Sequence, residues 1–157
     1  MNSTFIRNTV LVAAGVLLAG QAALSVAAVA QTCRYSEVNP GSGKVTTRQL
    51  SIDLGQSDGT DKPTAWIGPM TLAREGGESC SVDPNVSIIE RPIYTDGQHV
   101  LVSTYSGSEQ IVYAIDAKDC KVMWESERFS GKVKLTGNQL RMDKNTVKLG
   151  TDCTPQQ

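Results

Sequence analysis

The chain opens with an uncharged run over residues 10–30, preceded by the single cation Arg7 and ending in Ala28, Val29 and Ala30. A positive start, an apolar middle and a small-x-small end are the parts of an export signal that is cut off after translocation. The run is long enough to cross a bilayer. Its Gly15, Gly20, Gln21 and Ser25 and its Ala-rich end fit a cleaved signal better than a permanent anchor. The expected organisation is a signal peptide over residues 1–30 and a single β domain over residues 31–157, with the mature chain starting near Gln31. Residues 18–21 resemble a lipoprotein processing site, but Gln21 stands where the lipid-bearing cysteine would be needed, so no lipid anchor is expected.

After residue 30 the pattern changes. Helical spacing is hard to find, whereas short β-prone runs separated by turn residues recur through the second half. Residues 86–90 and 92–95 read as strand, Asp96 and Gly97 as a turn, and residues 98–104 as the returning strand. Further strands are expected over residues 110–116, 120–125, 132–136, 139–142 and 146–149. Ile111, Tyr113 and Ile115 share one face of their strand, and Val122 and Trp124 are expected to share one face of the next. In the first half, residues 44–54 read as one long strand with Leu50, Ile52 and Leu54 aligned. A polar loop over residues 55–63, short strands near residues 65–67 and 70–73, and a second loop around Cys80 follow. The predicted fold class is all-β, an antiparallel meander forming propeller-like or sandwiched sheets.

Composition narrows what such a domain does. Without Arg7 the mature segment has 14 Lys and Arg against 16 Asp and Glu, a net charge of −2. That balance favours neither nucleic acid nor an anionic membrane surface as partner. The four cysteines, Cys33, Cys80, Cys120 and Cys153, all follow the signal, and an even number in an exported chain predicts two disulfides in an oxidising compartment, the periplasm. Of the three pairings that four cysteines allow, the one expected is Cys33 with Cys80 and Cys120 with Cys153. No CxxC pair occurs and His99 is the only histidine, so neither a zinc site nor any other metal or cofactor is expected.

The remaining polar residues give little catalytic signal. His99 lies within an expected strand, away from any pattern of nucleophile, base and orienting acid, and reads as structural, so the chain is not expected to be an enzyme. Asp58 and Asp61 flank Gly59 in a loop that fits no EF-hand spacing; a solvated turn is the expectation there, with calcium as the competing reading. Asn85, Val86 and Ser87 match a glycosylation sequon, which carries no weight in a chain with a bacterial-looking signal. The segment of greatest interest covers residues 103–110, which join two strong strands and are dense in hydroxyls. An ordinary hairpin loop, with Gly107 supplying a positive φ, is the plain explanation.

Three resemblances bear on these segments. Residues 113–124 resemble the strand-turn-strand unit of quinoprotein-type β-propeller repeats, with Asp119 and Cys120 where a turn with glycine is usual. A closed propeller takes about four or more blades of ~40 residues, so the resemblance implies open or sandwiched propeller-like sheets and no quinone. Ser106 and Gly107, with Tyr113 further on, resemble the Ser-Gly loop and following Tyr of periplasmic lysozyme inhibitors, a loop that enters the enzyme's cleft.

Across the mature chain, the size, the signal peptide, the β-rich sheets and the serine-bearing loop resemble the periplasmic immunity proteins of type VI secreted peptidoglycan amidases. In that family a loop serine reaches the catalytic Cys-His pair of an NlpC-type amidase and blocks it. The resemblance implies a secreted cell-wall hydrolase, amidase or lysozyme, as partner. It implies Ser106 and Ser108 as the blocking residues, with Tyr105, Gly107, Glu109 and Gln110 shaping the loop. A serine hydroxyl both donates and accepts, so it can bond a catalytic imidazole without offering a cleavable bond. The rival reading from another class is a small structural or ligand-binding envelope protein.

Overall fold

A computed structural model describes residues 33–156; the expected signal peptide and the expected mature start at Gln31 lie outside them. The described residues form strands and turns with no helix. In chain order the strands are β1 (Ser36–Val38), β2 (Lys44–Thr46), β3 (Leu50–Asp53), β4 (Gln56–Ser57), β5 (Ala65–Gly68), β6 (Thr71–Arg74) and β7 (Ser79–Ser81). They continue as β8 (Ile89–Thr95), β9 (His99–Ser106), β10 (Glu109–Asp116), β11 (Val122–Glu125), β12 (Val133–Thr136), β13 (Gln139–Met142) and β14 (Asn145–Lys148). Every pairing between these strands is antiparallel.

The strands stack as three layers. The central sheet runs β11-β10-β9-β8-β5-β4, with β1 also on β8. On one face lies the sheet β2-β3-β6-β7 and on the other the meander β12-β13-β14. Side chains alternate across a strand, and β9 and β10 use both faces. Val100, Val102, Tyr113 and Ile115 pack with Ile52 and Leu72 of the first outer sheet. Leu101, Val112 and Ala114 point the other way, toward Leu135 and Leu140 of the meander. Burial on both sides is why residues 100–104 are all buried rather than alternating. Each large side chain enclosed this way, such as Trp66, Ile89 or Ile115, contributes about 1.5–3 kcal/mol. Of the two arrangements expected, the sandwich is the one the sheets adopt.

Several expectations need correction. Residues 44–54 are not one strand but a hairpin, β2 and β3, paired Thr46 to Ser51. The turn between them has no Gly or Pro; the Thr47 hydroxyl accepts from the Leu50 N–H at 3.0 Å and the Gln49 N–H at 3.3 Å and closes it instead. Leu50, Ile52 and Leu54 are buried as expected. Cys80, expected in a loop, sits in β7, and residues 92–95 belong with Ile89 and Glu90 to a single strand, β8.

Val122 and Trp124 do not share a face. The register of β10 against β11 shifts between them, pairing Ile115 with Val122 and Ala114 with Trp124. This bulge sends Val122 to the core beside β3 and Trp124 to the meander, and leaves Met123 exposed. An extra residue in one strand reverses the facing of all that follows it.

The disulfides pair as Cys33–Cys153 and Cys80–Cys120, not as Cys33 with Cys80 and Cys120 with Cys153. The fold makes the reason plain: β7 is the edge of its sheet, and its Cys80 lies over the turn between β10 and β11 that carries Cys120. The bridge therefore staples an outer sheet to the central one. Cys33 and Cys153 close the seam where the two terminal segments meet over Leu149. Two such bridges are the covalent chemistry of an oxidising, extracytoplasmic compartment.

Candidate functional site

Strands β9 and β10 are paired without interruption from His99 with Asp116 to Ser106 with Glu109. Of the six residues expected to shape a loop, Tyr105 and Ser106 therefore lie in β9, and Glu109 and Gln110 in β10. Only Gly107 and Ser108 remain as the turn. Gly107 has φ +67° and Ser108 does not have a positive φ, the pattern of a two-residue hairpin turn with glycine in first place. A Cβ on Gly107 would meet nothing within 4 Å, so the tip stands clear of the body. Residues 105–109 are exposed, in contrast to the buried strand behind them.

What steadies the tip comes from elsewhere in the chain. The Gln110 N–H donates to the Phe129 carbonyl at 2.7 Å and the Phe129 N–H returns to the Gln110 carbonyl at 3.1 Å. The Ser130 hydroxyl donates to the Ser108 carbonyl at 2.9 Å. The Arg128 guanidinium lies 3.2 Å from the Glu109 carboxylate; with both side chains more than half exposed, that pair adds little stability. On the β9 side, the Tyr105 N–H donates to the Ile88 carbonyl at 3.2 Å. Behind the tip, Gln110 Nε2 donates across β9 to Glu90 Oε1 at 2.9 Å. Cys120 is not among these supports. It follows the far end of β10, eight residues from the tip, or about 25 Å at strand spacing.

Beside the tip opens a cleft of about 300 Å³. Tyr105, Ser106 and Glu109 line it together with Asn85, Ser87 and the buried Tyr113. Ser106 and Tyr113, seven residues apart on the two strands of the hairpin, thus line one cleft. Burial pushes the Tyr113 phenol up, the Glu125 carboxylate adds to that, and a hydrogen bond with Thr104 partly offsets it. The phenol stays neutral and able to donate. Tyr105 is one of few large apolar side chains left exposed, at 36 %, and Ile67, at 50 %, stands two strands away. Sequence reasoning missed Asn85, Ser87 and Arg128 as neighbours of the tip; no local pattern announces them.

The other polar residues singled out lie elsewhere. His99 and Asp96 form a hydrogen-bonded pair in the β8–β9 turn, at the opposite end of β9. Asp58 is occupied by its own loop, accepting from the Thr60 and Thr64 hydroxyls at 3.0 and 3.2 Å. Asp61 lines a separate depression with Lys62 and Arg91. Among the described residues no group of three or more His, Cys, Asp and Glu side chains is placed to hold a metal ion. No protein-family model matches the chain, and no curated protein matches it.

Proposed function

We propose that the chain is a periplasmic immunity-type inhibitor that blocks a peptidoglycan-degrading amidase of the type VI secretion class with the serine-bearing tip of its β9–β10 hairpin. It acts by binding and not by catalysis. The observation that supports this reading best is the tip itself: a two-residue turn flanked by Ser106 and Ser108 that stands clear of the body, yet is held through Phe129 and Ser130. A projection already ordered before docking loses little freedom on binding. Ser106 or Ser108 would meet the catalytic imidazole, Tyr105 would pack on the rim of the enzyme cleft, and Glu109 and Gln110 would set the angle of entry.

A second reading, inhibition of a lysozyme, is favoured by one observation: Ser106 and Tyr113, the residues that carry the resemblance to lysozyme inhibitors, lie together at the tip-side cleft. Adding the mature protein to peptidoglycan digests run by an NlpC-type amidase or by a lysozyme tests both. Stoichiometric inhibition of the amidase is the expected result. Inhibition of lysozyme alone transfers the proposal to the second reading, and inhibition of neither, with no complex formed, overturns both.

A further inference from the structure

On the meander side of the hairpin, two sheet edges line a groove of about 600 Å³. Trp124 and Glu125 come from β11, the last strand of the central sheet, and Glu127 and Phe129 from the segment that follows it; Asn145 and Val147 come from β14, the last strand of the meander. The Trp124 and Phe129 rings are half-buried, whereas Glu125, Glu127 and Asn145 are exposed. The backbone of β11 is open on this side. The Ser126 N–H donates inward to the Val112 carbonyl at 2.9 Å, and the residue before it, Glu125, stands opposite Tyr113. Backbone groups of an antiparallel strand point alternately toward and away from its partner, so the N–H and C=O of Glu125 face outward. Among the described residues no strand other than β10 pairs with β11, and such an edge is a template for an added strand.

Charge decides what kind of strand fits. The lining holds two carboxylates and no cation. Glu125 and Glu127 enter none of the ion pairs among the described residues. Arg128, the cation next to them in sequence, pairs with Glu109 at the tip instead. An edge fringed with unpaired carboxylates repels acidic segments and attracts basic ones. The half-exposed rings of Trp124 and Phe129 add to that preference, because an aromatic face attracts a guanidinium or an ammonium group.

We propose that this groove docks an extended basic segment of a partner protein, which adds as a strand to the free edge of β11. Its Lys or Arg side chains meet the carboxylates of Glu125 and Glu127 and the rings of Trp124 and Phe129. Backbone hydrogen bonds supply the affinity, and the charges and rings select the partner. The groove adjoins the hairpin tip through Phe129, whose backbone bonds Gln110 while its side chain lines the groove. The inference is independent of which enzyme the tip blocks, and its test does not use that enzyme.

The probes are short blocked peptides in which valine alternates with arginine or with glutamate. The tetramer of N-acetylglucosamine serves as the rival ligand, since rings beside carboxylates and an amide also suit a sugar. NMR titration of the mature protein gives the affinities, and hydrogen exchange at the Glu125 amide reads the new backbone bond. The arginine peptide should bind and slow that exchange, and the glutamate peptide should not bind. Glu125→Gln with Glu127→Gln keeps the shape of two exposed side chains, so the variant should fold and bind the arginine peptide about fivefold more weakly. Ser106→Arg with Ser108→Glu, which alters only the tip, should bind it as the wild type does. Absence of binding by the arginine peptide, equal binding by the glutamate peptide, or unchanged affinity in the glutamine variant overturns the site. Binding that leaves exchange at Glu125 unchanged, or binding of the sugar alone, overturns the added strand as well.

Discussion

Strand β9 ends in two hairpin turns that look alike in sequence, Asp96-Gly97 before it and Gly107-Ser108 after it, and the fold treats them oppositely. Gly97 has φ +88°, and a Cβ there would run into the Gln49 side chain. Its neighbours Asp96 and His99 are locked to each other, and the Cys80–Cys120 staple sits at the same end of the hairpin. Gly107 also has a positive φ, but the space around it is empty. One turn is built into the body and the other is held out from it. The hairpin is stapled at one end and exposed at the other, and the exposed end is where side chains are available to a partner.

Removing the staple is the severest way to break this contrast. Cys80→Ala with Cys120→Ala opens a loop of about 40 residues and should cost about 3–4 kcal/mol in chemical denaturation. Because the tip draws its supports from Phe129, Ser130 and Ile88, the variant should still inhibit at temperatures where it is folded. Loss of inhibition by the folded variant would show that the two ends are not independent.

Glycine substitutions sharpen the comparison further. Gly97→Ala should cost about 2–3 kcal/mol, combining backbone strain at positive φ with displacement of Gln49. Gly107→Ala meets only the backbone term and should cost about 1 kcal/mol. Thermal denaturation of the pair checks the ordering, and equal losses would contradict the picture of one buried and one open turn.

How far the sequence revealed this arrangement depended on whether a feature is local. The alternation of Ile111, Tyr113 and Ile115 and the turn residues Asp96-Gly97 predict the central hairpins, because a period of two and a positive-φ glycine are local signals. The β2–β3 turn escaped because a threonine side chain closes it rather than Gly or Pro. The bulge at Met123 escaped because an inserted residue leaves the apolar run itself unchanged. The cysteine pairing depends on which strand edge lies over which turn, and four cysteine positions do not encode that. The site divides in the same way. Gly107 marks the tip, but the six-residue loop shrinks to two because β9 and β10 pair as far as Ser106 and Glu109. Arg128, Phe129 and Ser130, which hold the tip, arrive from some twenty residues downstream.

The smallest expected effect on stability belongs to the change expected to matter most for function. Ser106→Arg with Ser108→Glu alters only exposed side chains, and the Ser130 bond goes to the Ser108 carbonyl, which survives. Its unfolding free energy should stay within about 0.5 kcal/mol of wild type. Residues at the centre of an interface, by contrast, contribute ~2 kcal/mol or more to binding. The decisive measurement is the inhibition constant of this double variant against the target hydrolase in a peptidoglycan digest, beside a double change at Asp58 and Asp61 in the remote loop after β4. The account predicts a loss of at least about thirtyfold for the tip variant and none for the remote one. Unchanged inhibition by a folded tip variant would contradict it.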